Sequence, residues 1–217
     1  MRVIAVPVKP LDAAKSRLAG ALSPVERGVL TLAMLEDVLD AALDAAAWRT
    51  WVVSADEAAL EVAARRGAVP VLEEAPDPTL TGAVAQAEER ALGEGVDALA
   101  IVLADLPRLT PAALAAALQT LGPVVVAPSH SDGGTNVLLR RPPDSIRARF
   151  GTRSFERHVE EAEAADLPVA VVNDPAIAFD LDRPEDVLAL LESDNRGRTA
   201  SACRELDLAA RLRVPAG

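Results

Sequence analysis

An α/β fold on a mostly parallel sheet is predicted by three features of the 217-residue sequence. Short apolar runs alternate with longer stretches at helical spacing. The clearest runs, 3–6 (Val-Ile-Ala-Val) and 98–103 (Ala-Leu-Ala-Ile-Val-Leu), are continuously apolar, as strands are when both faces of their sheet are covered. No internal repeat or low-complexity linker divides the chain. Residues 1–192 are therefore expected to form one domain, with 193–217, where charge density rises, as a loosely attached C-terminal helix or tail.

The elements follow in order. Residues 3–6 form the first strand, which Pro7 ends by removing a ladder donor. Ser23-Pro24-x-Glu26 opens the first long helix, with Ser as N-cap, Pro at the first helical position and Glu placed for a capping box. Leu32, Leu35, Val38, Leu39, Ala42 and Leu43 continue it as an apolar stripe. Residues 50–53 read as the second strand, and Asp56 as the cap of a helix through Arg66 that stops at Gly67. Residues 69–72 are a short strand, which Pro70 assigns to a sheet edge. The acidic, proline-containing residues 73–79 form a loop. A helix is expected over 82–92, then the buried strand over 98–103. Thr110-Pro111 caps a further helix that Gly122-Pro123 terminates, and residues 124–127 are a strand. Next come a polar, glycine-rich turn at 129–134, a strand over 135–139 and an extended loop forced by Pro142-Pro143. Ser154 is read as the N-cap of a helix to about Ala165. Strands over 169–172 and 177–181 and a helix from Pro184 complete the pattern.

No apolar run approaches the roughly 18–20 residues of a membrane helix. The N-terminus enters a strand without a signal-peptide core, and the one cysteine, Cys203, has no partner for an internal disulfide. A cytoplasmic protein without membrane association is expected. A net charge of −11 argues against nucleic acid as a partner and leaves a homodimer open. Any anionic ligand must then be held by local groups or by a metal.

Lys9, Lys15 and Arg17 are such local groups. Of 22 Lys plus Arg, Lys9 and Lys15 are the only lysines, and with Arg2 and Arg17 they face a single acid, Asp12, in the first 20 residues. A compact ammonium is thus placed twice in one loop, where a planar guanidinium is used almost everywhere else. That loop follows the first strand, and open α/β sheets bind ligands at the carboxyl ends of their strands. The pattern reads as a phosphate site for a nucleotide, or else as an ordinary solvated loop.

Asp105 follows the second buried strand and should project from the same edge. It is well placed to hold Mg²⁺, which takes hard oxygen ligands and often binds through one or two carboxylates plus substrate phosphates. Asp180 and Asp182 share one face if their segment is extended. The three acids together would make a metal cluster, while Asp180 and Asp182 alone could equally prepare the cap of the helix from Pro184. Gly133-Gly134 permits close backbone approach or simply a turn. Ser154, at a helix N-terminus, offers N–H groups to an anion or serves only as a cap. His130 and His158 have no cysteine or carboxylate at zinc-ligand spacing. G-x-S-x-G, P-loop and G-x-G-x-x-G patterns are absent.

The stretch V-P-V-K-P-L-D-A-A-K-S-R-L-A (6–19) resembles the signature of the phospholactate or phosphoenolpyruvate guanylyltransferases of coenzyme F-420 biosynthesis. Ala104-Asp-Leu-Pro107, Gly133-Gly-Thr-Asn136, the segment 149–158 (R-F-G-T-R-S-F-E-R-H) and 179–186 (F-D-L-D-R-P-E-D) resemble the same family, so the similarity covers about residues 1–191. One departure is that Thr79-Leu-Thr-Gly82 stands where the family pattern has Gly-Leu-Asn at the start of the middle helix. The resemblance implies a Rossmann-like nucleotidyltransferase of the nucleotide-diphospho-sugar transferase type, with a mostly parallel, mixed sheet. It further implies Mg²⁺ on Asp105, Asp180 and Asp182, GTP held by Lys9, Lys15 and Arg17, and a small phospho-acid held by Thr135, Gly151 and Ser154. Lys15 and Asp105 would be the catalytic residues. GMP would pass from GTP to 2-phospho-L-lactate or phosphoenolpyruvate, with pyrophosphate released. The alternatives are another nucleotidyltransferase or D-x-D glycosyltransferase of similar fold, and a non-catalytic GTP-binding module.

Overall fold

The computed structural model describes residues 1–74 and 78–213, so part of the loop expected at 73–79, and the last four residues, lie outside the described residues. The strands are β1 (Arg2–Pro7), β2 (Arg49–Ser54), β3 (Val69–Leu72), β4 (Ala98–Val102), β5 (Val124–Pro128), β6 (Thr135–Arg140) and β7 (Val169–Val171). They form one sheet in the order β3-β2-β1-β4-β6-β5-β7. All pairings are parallel except those of β6 with β4 and with β5. The sheet is therefore mostly parallel and mixed, with β3 at an edge where a proline costs no ladder bond.

The helices are α1 (Pro24–Ala45), α2 (Glu57–Arg66), α3 (Leu80–Gly93), α4 (Pro111–Gln119), α5 (Ser154–Ala164), α6 (Pro175–Ala178), α7 (Pro184–Glu192), α8 (Arg198–Glu205) and α9 (Leu208–Arg213). Side chains alternate across a strand, and β1 shows the consequence. Ile4, Val6 and Val8 join Leu35, Leu39, Val62 and Leu114 of α1, α2 and α4 in one core. Val3 and Ala5 join Val84 and Ala87 of α3 and Ala162 of α5 in the other. Continuous apolar runs were the right signal because helices cover both faces. The capping reading also holds: Ser23 and Glu26 form a capping box on α1, and Asp56 and Thr110 accept from the first turns of α2 and α4.

The strand expected over 177–181 is not formed. Asp174 caps a short helix with Pro175 at its first position, its Oδ1 accepting from Ala176 N at 2.8 Å, and the chain then runs outside the sheet to α7. Phe179 and Leu181 are buried because they pack with Leu18, Met34, Val187 and Cys203 in a third cluster. The C-terminal segment is held more firmly than a loose tail. The α8 helix packs along α1, and burial of Cys203 pushes its thiol up to about 11. Gly197 has no side chain to cap α8, and Asp37 of α1 does so instead. Asp37 Oδ1 accepts from Arg198 N at 2.8 Å and Oδ2 from Thr199 N at 2.9 Å. Asp37→Ala should cost about 1–2 kcal/mol, as other cap losses do, and lower the melting temperature by about 2–8 °C. A thermal melt checks this. No helix among the described residues is long and apolar enough to cross a membrane.

The chain runs outward from β1 through β2 to β3, then returns to place β4 on the other side of β1. The gap between β1 and β4 is thus a topological switch point, where a crevice opens at the carboxyl ends of the strands. Because β6 is antiparallel to β4, its first residues, Thr135 and Asn136, lie at that same edge.

Candidate active site

A cleft of about 460 Å³ occupies the switch point, and Lys9, Lys15, Arg17, Asp105, Thr135, Gly151, Ser154, Asp180 and Asp182 all line it. Nine residues selected from sequence thus meet at one edge of the sheet. The volume falls within the ~300–1,000 Å³ usual for small-molecule sites.

One wall is the loop after β1. Its backbone is shaped by a buried arginine from α1: Arg27 Nε donates to Ala14 O and Nη2 to Asp12 O, both at 3.0 Å, and Nη1 to Leu22 O at 3.3 Å. Lys15 sits there at φ 50°, ψ 41°, a left-handed conformation that a residue with a Cβ adopts only when its surroundings impose it. Its ammonium lies 2.7 Å from Asp105 Oδ2 and 2.8 Å from Asp182 Oδ1. Burial alone would lower the Lys15 pKa, but the charges of Asp105 and Asp182 outweigh it and hold the ammonium above the ordinary lysine value. Asp182 shows the converse. Burial would raise it, yet Lys15, Arg17 and Lys9 together hold it below the usual carboxylate range. Arg17 Nη1 completes the group at 3.0 Å from Asp182 Oδ2.

The acidic segment is tied down from two sides. Leu181 N donates to Asp105 O at 3.0 Å, and Asn136 Nδ2 donates to Ile177 O at 2.9 Å and Ala178 O at 3.2 Å. Asp180 is nearly buried, its Oδ1 accepting from Ser129 Oγ at 2.6 Å. Burial raises its pKa against that hydrogen bond, and the charges of Asp105 and Asp182 add to the rise. Neither Asp180 nor Asp182 caps the following helix. Arg183 is the N-cap, and Asp186 of the first helical turn reaches back to it, its Oδ2 accepting from Asp182 N at 2.9 Å and Arg183 N at 2.7 Å.

The three acids face one end of the cleft but are not gathered into one ligand set. Among the described residues, no three His, Cys, Asp or Glu side chains stand together as a metal site, and Lys15 bridges Asp105 and Asp182. The donor chemistry nonetheless fits Mg²⁺. Asp105 Oδ1 is buried without a hydrogen-bond partner, which is costly for a carboxylate oxygen, and Mg²⁺ needs only one or two carboxylates beside substrate phosphates.

The opposite wall comes from β6 and α5. Gly151 at φ 112° and Arg153 at φ 54° turn the chain into α5. Arg153, not Ser154, is the N-cap, and it makes no side-chain cap bond. Ser154 is the first helical residue and is buried, so its hydroxyl is not committed to capping. Ser154 N and Phe155 N already donate, to Gly151 O and Gly133 O at 3.1 Å, so what the start of this 11-residue helix offers the cleft is the Ser154 hydroxyl and the positive end of the helix dipole. Thr79 caps α3 by accepting from Gly82 N at 3.0 Å, and Leu80 lines the cleft where the family pattern departs. Sequence reasoning missed the supporting residues Arg27, Ser129 and Asn136. Their partners are backbone carbonyls or a distant aspartate, which leave no local pattern.

Residues 1–213 match the family model described as guanylyl transferase CofC like. A phosphoenolpyruvate guanylyltransferase of Sphaerobacter thermophilus is 44% identical over 190 residues, 85% of this chain and 90% of that one. A 3-phospho-D-glycerate guanylyltransferase of Phenylobacterium zucineum is 38% identical over 200 residues, 89% and 91% of the two chains. A 2-phospho-L-lactate guanylyltransferase of Methanothermobacter thermautotrophicus is 38% identical over 184 residues, 84% and 80% of the two. Among solved structures, a Desulfovibrio desulfuricans G20 protein classed with the nucleotide-diphospho-sugar transferases superposes with a TM-score of 0.75 over 98% of both chains at 21% identity. At that identity the similarity shows that the two chains share a fold. A match along nearly the whole sequence, with relatives at up to 44% identity, shows that the chain belongs to the guanylyl transferase CofC-like family.

Proposed function

We propose that this enzyme transfers GMP from GTP to the phosphate of a three-carbon phospho-acid, with release of pyrophosphate, as a step of coenzyme F-420 biosynthesis in the cytoplasm. The observation that carries the reading is the division of one cleft into a cationic wall, Lys9, Lys15 and Arg17, and a second wall of Thr135, Gly151 and Ser154 with the positive end of α5 behind it. A triphosphate fits the first and a smaller anion the second. Phosphoenolpyruvate is the preferred acceptor in this reading, because the relative at 44% identity carries that name. 2-Phospho-L-lactate and 3-phospho-D-glycerate share its three-carbon, two-anion character.

An acceptor phosphate oxygen attacks the α-phosphorus of GTP. A new P–O bond forms as the bond to the β-phosphate bridging oxygen breaks, and pyrophosphate leaves with that electron pair. The nucleophile is already anionic at neutral pH, so no general base is required. Catalysis is then alignment and charge neutralisation. Lys15, clamped between two carboxylates, presents a fixed positive charge to the α-phosphate, while Lys9 and Arg17 balance the departing pyrophosphate. Asp105, with Asp180 and Asp182, would hold Mg²⁺, which when bound neutralises phosphate charge. Thr135, Gly151 and Ser154 orient the acceptor in line.

Pyrophosphate release should be measured with each nucleoside triphosphate against a panel of three-carbon phospho-acids and sugar phosphates. Release with GTP and a phospho-acid alone is expected. Release with a sugar phosphate, or tight GTP binding without release under any acceptor, contradicts the reading. Ser154→Ala should raise the acceptor KM about 10- to 100-fold, the range for a lost charge-assisted hydrogen bond, with the GTP KM nearly unchanged. Separate titration of the two substrates checks this, and a loss for GTP alone assigns Ser154 to the nucleotide side.

A further inference from the structure

His158 lies fully buried on α5, one turn beyond Ser154, with its two ring nitrogens on two different partners. Nε2 is 2.8 Å from Arg149 N. A backbone N–H can only donate, so Nε2 must accept and carry no proton. In the neutral ring the proton is then on Nδ1, which is 3.0 Å from Thr135 Oγ1. Nδ1–H donates and the Thr135 hydroxyl accepts. Having accepted on that side, the hydroxyl can aim its own proton only elsewhere, and Thr135 lines the cleft with Gly151 and Ser154.

We infer that His158 is a positioning residue that makes Thr135 a committed hydrogen-bond donor to an anionic oxygen, carboxylate or phosphate, of the acceptor. This rests on the acceptor lying beside Thr135, Gly151 and Ser154, as proposed above. A free threonine hydroxyl donates or accepts as its partner demands. One that is already accepting on its inner side favours a group that only accepts, which is what an ionised phospho-acid presents. The surroundings keep the relay in one state. Phe150, which also lines the cleft, packs edge-on against the imidazole at 5.2 Å and 71°. Burial, with the charges of Arg140 and Arg157, lowers the ring's pKa to about 4 and leaves it neutral at physiological pH.

Two substitutions separate the ring's contacts. His158→Asn places an amide N–H near the Nδ1 position and keeps the donor to Thr135, but abandons Arg149 N. His158→Gln reaches the Nε2 position and can accept from Arg149 N, but loses the donor to Thr135. With phosphoenolpyruvate as acceptor, His158→Gln should raise the acceptor KM about 10-fold with the GTP KM within about twofold, and His158→Asn should stay within about threefold of the parent. Thr135→Val should match the effect of His158→Gln, and the double variant should be no worse than Thr135→Val alone. Equal losses in the two His158 variants, or losses that multiply in the double variant, overturn the inference and leave His158 a packing residue. An independent readout needs no turnover. Nitrogen NMR of the ¹⁵N-histidine-labelled protein, with His130→Asn to assign the two histidines of the sequence, should show the Nδ1–H tautomer at His158 at pH 7. An Nε2–H or doubly protonated ring overturns it even if the variants do not fold. If the parent guanylylates no phospho-acid, the functional reading fails, and the tautomer still decides the relay.

Discussion

Asp105→Asn should leave the fold intact and lower guanylyl transfer about 10²- to 10³-fold at limiting Mg²⁺, equivalent to about 3–4 kcal/mol in the transition state. The side chain is nearly isosteric, and the backbone bond from Leu181 N to Asp105 O does not depend on it. Two electrostatic properties are lost at once. Oδ2 is one of the two carboxylate oxygens that fix the Lys15 ammonium, and Oδ1 is the buried oxygen without a partner that offers a ligand for a cation. An amide carries no charge for either role. The expected signature is a fall in turnover that added Mg²⁺ partly restores, with a melting temperature close to the parent's. Turnover within twofold of the parent across the Mg²⁺ titration would remove Asp105 from the reacting centre.

Lys15→Arg keeps the charge and should still lower turnover about 10²-fold, the scale on which one preorganised transition-state donor acts, with GTP affinity largely retained. The ammonium is a compact point charge in a space closed by two carboxylates, its side chain only 7% exposed. A planar fork is too broad to occupy it in the same way. Lys15→Met removes the charge as well and brings Asp105 and Asp182 together without a cation between them. Losing one partner of a largely buried ion pair should then also cost about 1–3 kcal/mol of stability. Steady-state kinetics with a parallel denaturant titration separates the two effects. Unchanged turnover in Lys15→Arg would mean that the loop supplies only diffuse positive potential.

The strands that form the sheet were legible because each carries a short apolar run bounded by turn chemistry, a purely local signal. The segment 177–181 failed for the same reason. Ile177, Phe179 and Leu181 stand at alternate positions as in a half-buried strand, but Asp174-Pro175 starts a helical turn, Ile177 joins the core under α1 and α4, and Phe179 and Leu181 pack beside α1 and α7. Ser154 was placed one position wrong because helix α5 is entered through two positive-φ residues, Gly151 and Arg153. Arginine gives no sequence hint of that conformation. The site was legible in part from charge. Two lysines in an arginine-using chain, and two acidic motifs, marked residues that meet across 90 and 167 positions. That Lys15 bridges Asp105 and Asp182 is a property of the folded cleft and has no local trace. Arg27, Asn136 and His158 were invisible as functional residues because each acts through a backbone group or a single buried hydroxyl.

In the proposed reaction the acceptor's phosphate captures the α-phosphorus of GTP. This step is tested most directly by following labelled phosphate through one reaction with phosphoenolpyruvate and Mg²⁺. In parallel incubations, GTP carries the label at the α position or at the γ position, and products are separated and weighed by mass spectrometry. The α label is expected in a single product with the mass of GTP plus acceptor less pyrophosphate, and the γ label in pyrophosphate alone. Label from the γ position in the acceptor, or α label confined to free GMP or GDP with no joined product, would contradict this reaction.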